Sequence, residues 1–113
     1  MATPPAVKYP VPGAHWVIFY PCHPTILHFT NHRFVRRLVK DPITGSPKFL
    51  DVLELDVDEW EGVKGSWVLS ITSKKFQAPI LPLIESGEIY RRKWKIHMTG
   101  EGFRREYSIQ PVE

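Results

Sequence analysis

Between Gly87 and Pro111 the chain reads GEIYRRKWKIHMTGEGFRREYSIQP, and its apolar side chains recur with a period of two. Successive strand residues point to opposite faces, so this spacing demands strands with one buried and one open side. Trp94, Ile96 and Met98 fall on one side of the first strand, and Arg91, Lys93, Lys95 and His97 on the other. Beyond a Gly-containing turn, Phe103, Tyr107 and Ile109 take the odd positions and Arg104, Glu106, Ser108 and Gln110 the even ones. The expected product is a hairpin with an apolar inner side and a basic outer one.

A second alternation, KFLDVLELDV from Lys48, follows the turn sequence DPITGSPK, in which Pro42 suits the second turn position and Gly45 a left-handed one. The spacing predicts a hairpin of 32–40 with 48–58, placing Leu53, Leu55 and Val57 inward and Glu54, Asp56 and Asp58 outward. Upstream, WVIFY reads as a buried strand stopped by Pro21 and Pro24, and TILHF as a second short extended piece. A turn over Gly62–Gly65 leads to the strand SWVLSI. Ser73–Ser86 then carries Phe76, Ile80, Leu83 and Ile84 at helical spacing, with Gly87 placed as a C-cap. An interior proline costs a helix about 3 kcal/mol, so Pro79 and Pro82 predict that the regular helix begins near Pro79.

Five or six strands, with a helix between the third and fourth of the principal five, is the order of an OB-fold, a small Greek-key barrel. The 113 residues suffice for one core, so the expectation is a mainly β, OB-like domain over 14–113 preceded by a proline-rich extended arm over 1–13. A net charge of +3 says little, but its distribution says more. Asp51, Glu54, Asp56, Asp58, Glu59 and Glu61 cluster without a cation among them, whereas Arg91, Arg92, Lys93, Lys95, Arg104 and Arg105 enclose only Glu101. The single cysteine precludes an intrachain disulfide. With an N-terminus lacking a secretory pattern and no apolar run of membrane-spanning length, it leads us to expect a cytoplasmic protein with no membrane role.

Residues 66–113, WVLSITSKKFQAPILPLIESGEIYRRKWKIHMTGEGFRREYSIQPVE from Trp67, carry the turn Thr99-Gly100-Glu101-Gly102-Phe103 and the closing pattern Tyr107, Ile109, Pro111. With the Asp41–Lys48 turn, this stretch resembles the C-terminal half of single-stranded-DNA-binding proteins of tailed bacteriophages. The resemblance implies an OB-fold that binds single-stranded DNA. A cysteine-rich zinc insertion often accompanies that pattern, and a chain with one cysteine cannot build it.

Positive groups on one sheet face neutralise phosphates, and neighbouring rings stack on unpaired bases for about 1–3 kcal/mol each. Arg91, Lys93, Lys95 and Arg104 are the candidate cations, with Trp67 and Tyr90, and more weakly Trp60, as candidate rings; Arg36 and Arg37 extend the basic track if their strand lies alongside. The competing readings are that the hairpin cations pair across strands with Glu54, Asp56 and Asp58, and that the run holding Arg36 and Arg37 solubilises an edge strand. Cys22, His23, His28 and His32 are metal-ligand types, but on one continuous strand His28 and His32 stand about 13 Å apart, which favours no metal. Asp56 and Asp58 share a face without a general base nearby, and no nucleotide-binding or hydrolase motif occurs. The expected function is therefore non-catalytic binding of single-stranded DNA or RNA without a cofactor. The alternative is a protein–protein or homo-oligomeric module.

Overall fold

The computed structural model describes residues 8–100 and 105–112. It is mainly β. Five antiparallel strands, β1 (Thr25–Lys40), β2 (Pro47–Trp60), β3 (Val63–Ile71), β4 (Lys93–Thr99) and β5 (Glu106–Val112), form one sheet in the order β3-β2-β1-β4-β5. Helices α1 (Lys74–Ser86) and α2 (Glu88–Arg91) lie between β3 and β4.

The alternating sequences form the predicted strands. β2 pairs with β1 from Pro47 opposite Lys40 to Trp60 opposite Leu27, and Leu53, Leu55 and Val57 are buried. In β4, Trp94, Ile96 and Met98 are buried while Lys93 and Lys95 are exposed. The β1–β2 turn uses Gly45 at φ 74°, and Asp41 Oδ1 accepts from the amides of Ile43 (2.8 Å) and Thr44 (3.2 Å). The next turn is tighter than expected. Its centre is Glu61 (φ 51°) and Gly62 (φ 78°), so β3 already begins at Val63. Two positive φ values match the twist of the flanking strands, and Glu61 is held there by accepting the Ile26 amide at 2.9 Å.

Four expectations are corrected. First, TILHF and 32–40 are one sixteen-residue strand, bent by register shifts between His28 and Asn31 rather than broken. Second, WVIFY is no sheet strand. Trp16 forms an isolated bridge with Val68, and Tyr20 one with His23. The segment instead crosses from β3 to the end of β4: Val17 N donates to Val68 O (2.9 Å), and Cys22 N to Met98 O (3.0 Å). Phe19 meets Tyr107 edge-on, and no ladder joins β3 to β5 among the described residues. Third, α1 starts at Lys74 and contains both Pro79 and Pro82. Its first turn is secured by Ser73 Oγ, which accepts the Phe76 amide, and by burial of Phe76, Gln77 and Ile80 against the sheet. Fourth, 88–91 is helical, so Arg91 sits on α2 and not on the basic strand.

The described end of the arm, Lys8–Gly13, is packed. Tyr9 lies against Trp60 with ring centroids 5.6 Å apart, and its hydroxyl donates to the carbonyl of His23 while accepting the Tyr20 amide, both at 3.0 Å. Leu27, Phe29, Leu53, Leu55, Trp60, Leu69, Ile71, Trp94 and Ile96 from the sheet meet Phe76, Ile80 and Ile89 from the helices. Gln77 ties the layers together, its Nε2 donating to the carbonyls of Ile71 (2.8 Å) and Asp51 (3.2 Å). Gln77→Met keeps the volume but strands both carbonyls. Chemical denaturation should show a loss of about 1–3 kcal/mol, and an unchanged midpoint would mean that the clamp contributes nothing.

Candidate nucleic-acid interface

The sheet register decides which cations remain available. Arg33 and Arg37 lie on β1 across from the acidic run of β2, and Arg33 pairs with Glu54 and with Asp56, each at 2.9 Å. Arg37 also pairs with Glu54 and stands 5.7 Å from the Trp16 ring. Arg36, on the other face, meets Asp51 at 3.6 Å and lies 5.7 Å from the Phe49 ring. Neither Arg36 nor Arg37 therefore belongs to one open basic track. Asp58 is engaged separately, 2.6 Å from His28 Nδ1. Glu54 and Asp56, which the competing reading set against the hairpin cations, are taken instead by Arg33 and Arg37 of β1.

The terminal hairpin differs. Lys93 pairs with Glu59 at 2.5 Å, and Lys64 on β3 reaches the same carboxylate at 4.0 Å. Arg91 (4.0 Å) and Arg92 (3.2 Å) share Glu88. Lys95 makes no ion pair among the described residues, and its strand neighbour Ile26 gives its amide to Glu61. Lys64, Arg91, Arg92, Lys93 and Lys95 thus find two paired carboxylates between them. Arg104 lies outside the described residues. Arg92 and Lys64 are the additions that sequence reasoning left out of the site. Arg92 was visible in the basic run, whereas Lys64 enters only through the β2–β3 register.

The predicted rings are not where stacking requires them. Trp60 is fully buried, its indole Nε1 donating to Thr25 Oγ1 at 2.8 Å. Trp67 is half-buried, edge-on to Trp60 at 5.5 Å, because its strand position faces inward with Leu69 and Ile71. Tyr90 is half-buried on α2, stacked on His32 and hydrogen-bonded through its hydroxyl to His32 Nδ1; burial raises its phenol pKa. Among the described residues, the rings most open to solvent lie elsewhere, on Trp16, Tyr20, Phe34 and Phe49.

His28 Nε2 donates to the Tyr90 carbonyl at 3.0 Å, so the bulged β1 brings His28 and His32 to two atoms of one residue. Cys22 and His23 are exposed in the turn ahead of β1, and no group of three His, Cys, Asp or Glu among the described residues could hold a metal ion. No helix among the described residues is long and apolar enough to cross a membrane.

Several carboxylates are held below their ordinary range. Burial pushes the Glu54 carboxyl up, but hydrogen bonds and charge from Arg37 and Arg33 outweigh it and the net shift is downward. Glu59 is lowered chiefly by its hydrogen bond with Lys93, and Asp41 by the amides of Ile43 and Thr44. A depressed folded-state pKa contributes stability that is complete above the unfolded value and disappears as pH falls through the folded one. Stability should accordingly decline as pH drops below the ordinary values of 4.5 for Glu and 3.8 for Asp. Glu54→Gln should flatten that decline in denaturant titrations repeated across the acid range. An unaltered slope would remove Glu54 as a source.

No protein family, curated protein or solved structure matches the chain.

Proposed function

We propose that the protein binds single-stranded nucleic acid without catalysis, through phosphate charge rather than base stacking. The observation that carries this reading is the cluster of Lys64, Arg91, Arg92, Lys93 and Lys95 around only two paired carboxylates, Glu59 and Glu88. The Arg91 and Arg92 pairs with the exposed Glu88 are worth about 0–1 kcal/mol, so a phosphate can displace them at little cost, and Lys95 has no ion pair among the described residues. The cations stand on β3, α2 and β4, with Arg92 at the junction between α2 and β4. A flexible strand can follow such a broken line more readily than a rigid duplex. The sheet order, with a helix between β3 and β4 and a closing β4–β5 hairpin, is also that of an OB barrel opened at the β3–β5 seam.

The test is labelled-oligonucleotide anisotropy over a salt series, with single-stranded DNA, single-stranded RNA and duplex DNA. The expected slope of log affinity against log salt is roughly −2 to −3.5, from about 0.7 per phosphate contact. Tryptophan fluorescence should change little, because Trp60 and Trp94 are buried, Trp67 is packed against the core and only Trp16, at 42%, is substantially exposed. No binding at low salt, or equal affinity for duplex, would sink the proposal.

A further inference from the structure

Helix α1 covers only part of the inner face of the sheet. Leu53, Leu55 and Ile71 are buried in one cluster with Phe76 and Ile80, whereas the same face runs on uncovered along the far half of the β1–β2 hairpin. Register puts Phe34 opposite Leu53, Arg36 opposite Asp51, Leu38 opposite Phe49 and Lys40 opposite Pro47, all on that face. Phe34, Leu38 and Phe49 are 58%, 63% and 64% exposed, and Leu81 of α1 is 37% exposed. Phe34, Arg36, Asp51, Lys74 and Leu81 line a groove of about 450 Å³ between ribbon and helix. Leu38 and Lys40 line a second hollow, of about 310 Å³, against Pro47. The charge here is one-sided: Arg36, Lys40 and Lys74 stand against the single anion Asp51, which is 3.6 Å from Arg36. Neither Lys40 nor Lys74 makes an ion pair among the described residues, and Glu85, about three turns along α1 from Lys74, lines neither hollow.

We propose that this face seats an amphipathic helix of another protein, one whose apolar stripe is flanked by carboxylates. Charge complementarity selects the sign, because two cations without partners beside an apolar floor attract anionic groups and repel a basic segment. The layer selects the shape. A sheet face left bare beside a packed helix is completed by a second helix, and Leu81 supplies the flank against which it packs. Such a helix offers apolar anchors at i, i+3, i+4 and i+7. Phe34, Leu38 and Leu81 receive them, and Arg36, Lys40 and Lys74 meet the acidic flanks. A single-stranded nucleic acid fits less well: Arg36 already lies over the Phe49 ring, 5.7 Å from its centroid, and Leu38 and Leu81 have no ring on which a base can stack. A second copy is disfavoured too, since three cations of each copy would share only two aspartates across a dyad.

The experiment is selection of a displayed library of helical peptides, about 15 residues long, on the wild-type chain. Enriched sequences should carry an apolar stripe flanked by Asp and Glu. A labelled peptide of that consensus should bind in anisotropy, and Leu38→Glu should weaken it by about 30-fold or more with an unchanged circular dichroism spectrum and unchanged oligonucleotide affinity. Arg36→Glu combined with Lys74→Glu should abolish binding of the acidic peptide, and a peptide with Lys in place of its acids should bind that double variant instead. No enrichment, enrichment without an acidic bias, indifference to Leu38→Glu, or failure of the charge-reversed peptide on the double variant would overturn the proposal. Loss of oligonucleotide binding by Leu38→Glu would overturn it by assigning the face to nucleic acid, and a wild-type dimer in sedimentation that Leu38→Glu dissolves would assign it to a second copy. The nucleic-acid reading stands or falls on the wild-type oligonucleotide titration alone, so the two claims fail separately.

Discussion

Trp60→Ala should lower stability by about 4 kcal/mol, a large share of the 5–15 kcal/mol typical of a whole domain. Trp60 is fully buried at the end of β2, where it meets Tyr9, Trp67 and the strand pair around Leu27. Truncation opens a cavity that three separate elements line, so local collapse cannot fill it. It also strands Thr25 Oγ1, which is itself buried and accepts the indole proton. Trp60→Phe separates these effects. It keeps most of the ring volume, loses the hydrogen bond and should cost about 1–3 kcal/mol. Urea unfolding followed by circular dichroism provides both values. A Trp60→Ala loss below about 1 kcal/mol, the scale of ordinary surface changes, would mean that this end of the sheet is not packed as described.

Lys93→Ala combined with Lys95→Ala should reduce the salt slope of oligonucleotide binding by roughly 1.4, two phosphate contacts at about 0.7 each. Affinity at low salt should fall about tenfold or more, and the unfolding midpoint should fall modestly, because the exposed Lys93 loses its pair with Glu59, whose side chain is only 13% exposed. Arg33→Ala and Arg37→Ala provide the contrast. Their guanidinium groups cover Glu54, which is 3% exposed, so losing either should reduce stability and leave the salt slope unaltered. If the arginine variants abolish binding and the lysine variants do not, the phosphate track runs along the acidic strand's partners and the proposed site is wrong.

The contrast between those two basic groups was not readable along the chain. Arg37 and Lys93 read alike as members of basic runs, and only the cross-strand register puts Glu54 beneath one and leaves the other to share Glu59. What depends on local period was legible: the inward set Leu53, Leu55 and Val57, the inward set Trp94, Ile96 and Met98, the Asp41–Lys48 turn and the Gly87 cap, with φ 78°. The start of α1 was not, because the penalty of Pro79 and Pro82 had to be weighed against burial of Phe76, Gln77 and Ile80, which is a tertiary quantity. Trp67 reads as a candidate stacking ring because an aromatic in a short strand has no intrinsic side; its inward placement follows from pairing with Val57. Likewise Tyr90 became a ring packed against His32 once the turn after Gly87 closed into α2.

The segment that crosses from Val68 to Met98 has a consequence for assembly in time. Tyr9, Val17 and Phe19 are made before every group they rest on, and their partners Trp60, Val68 and Tyr107 lie up to the far end of the chain. Contacts of such sequence separation close late and slow the search. On a ribosome, Phe19 must wait, undocked, until Tyr107 of β5 has left the exit tunnel, and the β3 edge stays bare to chaperones and to other nascent chains for that interval.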